Sequence, residues 1–123
     1  FYPGSGSEAE KGEGKGLNYT INVPLPAGSG DSVYIEAFKE KLRPAALAFS
    51  PDFVLISAGF DAHEDDLLGQ MAVTADGFAE MTLIVKEIAE RCCEGRVVSV
   101  LEGGYHLDGL AESVEAHIRA LMR

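Results

Sequence analysis

Residues 53–66 read FVLISAGFDAHEDD, and residues 97–109 follow the same pattern in VVSVLEGGYHLDG. In each, a short apolar run meets glycine and then turns polar. Such runs, the first entered from Pro51-Asp52, are the mark of strands buried on both faces, so 53–57 and 97–101 read as strands. Between them Thr74 caps a helix near 74–94, with Phe78, Met81, Val85, Ile88 and Cys92 on one stripe and Gly95 at its end. After them Leu110, Val114, Ile118 and Leu121 recur at helical spacing, giving a second helix near 107–122. Strand, helix, strand, helix is a βαβα unit, which requires parallel, neighbouring strands covered by helices. Parallel strands end on one edge, where open α/β sheets gather ligands. The loops carrying Gly59-Phe60-Asp61 and Gly103-Gly104-Tyr105 are therefore expected side by side.

The residues ahead of this unit are less regular. Residues 4–18, GSGSEAEKGEGKGLN, are glycine- and charge-rich without apolar period and read as loop. Tyr19–Val23 alternates as a strand would, and Pro24 and Pro26 end it. Asp31 can cap a helix carrying Ile35, Phe38 and Leu42. Pro44 either kinks that helix or starts a further turn. The chain thus divides into a loop-rich opening, residues 1–30, and a helix followed by βαβα, residues 31–123.

Length and charge narrow the function. The 123 residues suffice for one domain, and a net charge of −10 excludes the basic face a nucleic-acid binder needs. No apolar run is long enough to span a membrane. The two cysteines, Cys92 and Cys93, are adjacent in a helical pattern and unsuited to a bridge, as expected of a reducing cytoplasm. Cys92 is expected to pack and Cys93 to face solvent. The chain opens FYPGSGS, without methionine and in mid-pattern, and is expected to be a segment of a longer domain.

A carboxylate at a strand end can ligate a metal, act as a base, or cap backbone amides, and spacing alone does not choose among these. A phenol beside it can donate to a developing oxyanion. Glu64-Asp65-Asp66 reads as a solvated rim that could attract a cationic substrate. His63 reads as no ligand, His106 as a passive neighbour of the tyrosine loop, and His117 as a helix-surface residue.

SAGFDAHEDDLLG and VLEGGYHLDGLA, preceded by FYPGSG and NVPLPAGSGD, resemble the C-terminal part of the histone deacetylase superfamily over essentially the whole chain. The branch is the class II-like one, with the bacterial histone deacetylase-like amidohydrolases and acetylpolyamine amidohydrolases. The resemblance implies the C-terminal part of an arginase/deacetylase-type parallel sheet with helices on both faces. It implies zinc-dependent hydrolysis of acetyl-amide bonds on lysine or polyamine nitrogens. Asp61 would be a zinc ligand and Tyr105 the residue that polarises the carbonyl. Tyr2, Leu68, Gly103 and Gly104 would line the substrate tunnel, and the Tyr19 carbonyl would serve a potassium ion. The family's Asp-x-His ligand pair and tandem histidines have no counterpart here. Asp65 and Leu67 stand where the family usually has glycine and proline, which bears on the loop's conformation, not on the ligand. The segment alone is therefore expected to be inactive and to self-associate or pair with the N-terminal part of such a domain. Arginase-type chemistry is the competing enzymatic reading, but it needs Asp-x-Asp and position 63 is His. A catalytically incomplete or interaction-only segment is the third.

Overall fold

The computed structural model describes residues 3–123. Val54–Ala58 (β1) and Val97–Leu101 (β2) pair in parallel, with Val54 opposite Val97 and Ala58 opposite Leu101. Ala75–Cys93 (α3) makes the crossover, and Leu107–Met122 (α4) packs beside it. The expected order and pairing are present, with β1 displaced by one residue from the expected span.

Thr74 caps α3 as its sequence position predicts, its hydroxyl accepting from the Gly77 N–H at 3.1 Å. At the other end Glu94 and Gly95 both turn left-handed, and their N–H groups return to the Ala89 carbonyl. The buried face of α3 is broader than the five-residue stripe. Ile84, Ala89 and Cys93 are buried with Phe78, Met81 and Ile88, so Cys93 packs inside rather than facing solvent, and Cys92 is half-buried. The last turn of α3 brings Cys93 onto the Arg96 carbonyl at 3.5 Å, which draws its thiol inward.

Ahead of β1 a nearly continuous helical run joins Asp31–Ala37 (α1), a π turn over Phe38–Leu42, and Arg43–Phe49 (α2). Pro44 lies in the first turn of α2. Its nitrogen cannot donate to a carbonyl one turn back, so the hydrogen-bond ladder changes register just before it. Asp31 does not cap its own helix. Its carboxylate accepts from the Thr74 N–H at 2.8 Å and from the Thr74 hydroxyl at 2.7 Å, tying the start of α1 to the start of α3. Residues 19–23 form no strand, having no neighbour among the described residues with which to pair.

The core lies between the sheet and the helices: Ala58, Phe60, Val73, Phe78 and Met81, joined by Tyr34, Phe38, Ile56 and Leu110. Val54, Ile56 and Ala58 face this layer. Leu55, Val98 and Val100 point the other way and are 74%, 44% and 55% exposed. The strands that read as buried on both faces are covered on one face by the described residues.

Candidate functional site

Gly59 and Phe60 carry the chain from β1 over the sheet edge to Asp61. Phe60 is buried, its ring edge-on to Phe78 at 5.1 Å and to His117 at 5.7 Å. Burial of such a side chain contributes roughly 1.5–3 kcal/mol and holds the residue beside Asp61 in place. The Glu102 N–H donates to the Ala58 carbonyl at 2.9 Å, and the Phe60 N–H to the Gly103 carbonyl at 2.8 Å. These bonds extend the parallel pairing past both strands, so the two loops leave the sheet together.

Glycine is required where they meet. A Cβ on Gly103 would stand 3.0 Å from Cγ of Asp61 and 3.1 and 3.2 Å from its oxygens. Gly104 has φ +142°, and a Cβ there would meet Leu110 at 2.7 Å. Tyr105 follows at once, with its side chain largely exposed. The structure thus brings Asp61, Gly103, Gly104 and Tyr105 to the carboxyl edge of the sheet.

Asp61 is half-buried, and among the described residues no hydrogen bond or ion pair holds its carboxylate. Burial, and next the Asp61 charge, push the Tyr34 phenol up, so Tyr34 is a neutral neighbour that sequence spacing did not single out. A half-buried carboxylate without a donor, at a rigid strand end, fits one ligand of a divalent cation. An apolar cavity of about 180 Å³ lies behind it, lined by Tyr34, Phe38, Ile56, Phe60, Met81 and His117 among others. Neither Asp61 nor Tyr105 lines that cavity.

Asp66 is not part of a solvated rim. It is 3% exposed, and its carboxylate accepts from the N–H groups of Leu68 at 2.9 Å, Gly69 at 3.2 Å and Tyr105 at 2.7 Å. Burial raises its pKa, but the backbone N–H groups of Tyr105, Leu68, Gly69 and His106 together outweigh burial and hold it below the usual carboxylate range. Glu64 and Asp65 are exposed, as the rim reading expects. The inward turn of one carboxylate in three is set by a partner 39 residues away, which no local pattern reports.

The histidines are also structural. Ligand atoms of His63, Asp65 and His106 lie within 4.8 Å of one another. Yet Nδ1 of His63 accepts from the Asp65 N–H at 3.2 Å, and Nδ1 of His106 accepts from the Gly109 N–H at 3.1 Å. In each ring the Nδ1 lone pair is thus already engaged by a backbone N–H. His106 is the N-cap of α4, not a passive neighbour. His117 is buried, with Nδ1 2.7 Å from the Thr82 hydroxyl and Nε2 2.8 Å from the Ser99 hydroxyl, because α4 turns that face onto α3 and β2.

Leu68 is exposed beside this loop. Tyr19 is exposed and meets Phe49 of α2 edge-on at 5.8 Å. Tyr2 lies outside the described residues.

The sequence profile of the histone deacetylase domain matches residues 1–121. The chain belongs to the histone deacetylase family. A "probable deacetylase" of Archaeoglobus fulgidus is 45% identical to this family member over 122 residues, covering 99% of the chain and 34% of the relative. "Histone deacetylase 14, chloroplastic" of Arabidopsis thaliana is 43% identical, over 98% of this chain and 29% of its own length. The human "polyamine deacetylase HDAC10" is 45% identical over 90% of this chain and 16% of its own. Among solved structures, the HDA15 HD domain superposes with a TM-score of 0.93 at 45% identity, covering 99% of this chain and 33% of that one. The deacetylase Clr3 gives 0.91 at 41%, covering 99% and 20%. The fold is therefore that of a deacetylase domain, α/β with a parallel sheet, and the chain spans about a third or less of these relatives. Among the described residues no helix is long and apolar enough to cross a membrane.

Proposed function

We propose that this segment supplies part of the active site of a zinc-dependent deacetylase acting on acetylated lysine or polyamine nitrogens. The observation that carries the reading is the Asp61 carboxylate, unpaired among the described residues and set against Gly103, with Tyr105 two residues further along the same loop. Deacetylases of histone and polyamine type among the relatives support the reaction class.

Asp61 would hold zinc as one of its protein ligands, and zinc, when bound, would supply Lewis acidity to the amide carbonyl. Gly103 and Gly104 leave the backbone close to that point, so no side chain obstructs the reacting group. As water adds to the carbonyl carbon, negative charge gathers on the carbonyl oxygen. The Tyr105 hydroxyl donates a hydrogen bond to that oxygen and stabilises the tetrahedral state more than the ground state. Leu68 would give the apolar stem of the substrate a wall. Asp61 is the one ligand this reading assigns, and the remaining ligands and the general base would come from the rest of a family-length domain. Two free cysteines accord with a reducing compartment such as the cytoplasm.

In the full-length protein, Tyr105→Phe should lower kcat by about two to three powers of ten with zinc retained, the loss expected of one oxyanion donor. Asp61→Ala should lose zinc, measured by metal analysis of the purified protein. Turnover of an acetyl-lysine peptide by Tyr105→Phe at the parent rate would overturn the assignment.

A further inference from the structure

We propose that Asp66 is the positioning residue of Tyr105, a carboxylate bracket that fixes the phenol by holding its backbone. The proposal rests on the reading of Tyr105 as oxyanion donor.

Tyr105 is 62% exposed, so packing does little to fix the direction of its side chain. What fixes the loop is its backbone, and Asp66 takes the N–H of Tyr105 itself, at 2.7 Å. Leu67, the next residue, is 90% exposed, and the Asp65 side chain before it is 63% exposed. Between these two exposed neighbours Asp66 points inward. Its charge is met by backbone N–H groups, which makes it a fastener of backbone rather than one half of an ion pair. One oxygen serves the loop after β2 through Tyr105. The other serves the loop after β1 through Leu68 and Gly69. The same group therefore sets Tyr105 and the proposed tunnel wall at Leu68 relative to each other.

Asparagine has nearly the same shape, but it presents one acceptor oxygen and one donor group. Whichever way it turns, its NH₂ faces N–H groups on one of the two loops. Asp66→Asn should thus loosen the bracket without changing the volume filled.

The test is a double-mutant cycle in the full-length, zinc-loaded protein, with Asp66→Asn, Tyr105→Phe and the two combined. Asp66→Asn should lower kcat on an acetyl-lysine peptide about ten- to a hundredfold, with zinc stoichiometry kept. On the Tyr105→Phe background it should cause no further loss, because the group it positions is already gone. An equal loss on both backgrounds, or a loss of zinc, overturns the proposal while leaving the role of Tyr105 intact. A parent-like rate for Tyr105→Phe overturns that role and the proposal with it. If Asp66→Asn does not accumulate folded, amide hydrogen exchange of the parent decides. Protection of the Tyr105 and Leu68 amides to a similar degree supports the bracket, and exchange of Tyr105 at the unprotected rate refutes it.

Discussion

His117 shows how one buried side chain takes on a defined protonation state. The Thr82 hydroxyl gives its single hydrogen to the Phe78 carbonyl at 2.6 Å, so the bond between Thr82 and Nδ1 must be donated by the ring. Burial favours the neutral ring, in which Nε2 accepts from the Ser99 hydroxyl. Burial lowers its pKa below the ordinary histidine value, and no charged side chain bonds to it. A histidine kept neutral in the fold binds fewer protons than the unfolded chain, so its contribution to stability is complete above about pH 6.5 and is lost as pH falls from there toward the depressed folded value. Urea unfolding at a series of pH values should show the parent's advantage over His117→Gln shrinking as pH falls below about 6.5. A constant difference from pH 8 to pH 5 would contradict the neutral-ring arrangement.

At the scale of the element, the start of α3 depends on Thr74 in two ways. Its hydroxyl oxygen accepts from the Gly77 N–H while its hydrogen goes to Asp31, so one side chain caps α3 and fastens α1 to it. Gly77 permits the approach, since a Cβ there would meet the Asp31 carboxylate. Thr74→Ala should cost about 1–2 kcal/mol, toward the upper end for a cap because the Asp31 carboxylate also loses a donor. Thr74→Ser should recover most of it. Denaturation midpoints of the two variants would check this, and equal losses would show that the methyl group, not the hydroxyl, matters. The π turn before Pro44 is the other feature of this scale. Its cause, a missing N–H, is written in the sequence, but which of two outcomes follows depends on how Tyr34, Ile35 and Phe38 seat against the core.

For the molecule as a whole, the bare sheet face decides behaviour. Among the described residues, Leu55, Val98 and Val100 form an exposed apolar patch on a two-stranded sheet, with both outer strand edges open. We propose that the remainder of a family-length domain covers it. Residues 1–123 expressed alone should therefore self-associate, and Leu55→Lys with Val98→Lys should shift sedimentation toward monomer. The same segment should bind zinc weakly and release no acetate from an acetyl-lysine peptide, because a tetrahedral hydrolase site takes three protein ligands and Asp61 is one. A monodisperse segment with stoichiometric zinc and measurable turnover would refute both expectations.

Two apolar runs, the Thr74 cap and the helical stripes were enough to place β1, α3, β2 and α4 and to put Asp61 and Tyr105 at one sheet edge. Periodicity and capping are local properties, set by backbone geometry over a few residues, so they can be read without coordinates. The inward turn of Asp66, the burial of His117 and Cys93, and the absence of a strand at 19–23 could not be read that way. Asp66 and His117 depend on partners distant in sequence, the Tyr105 N–H for the one and Thr82 and Ser99 for the other, and residues 19–23 would need a pairing strand; Cys93 is drawn in by the way the turn after α3 brings the Arg96 carbonyl back to it. Whether a polar group is a surface charge or a buried fastener is settled by which donors and acceptors the fold brings to it, and that is decided only when the loops meet.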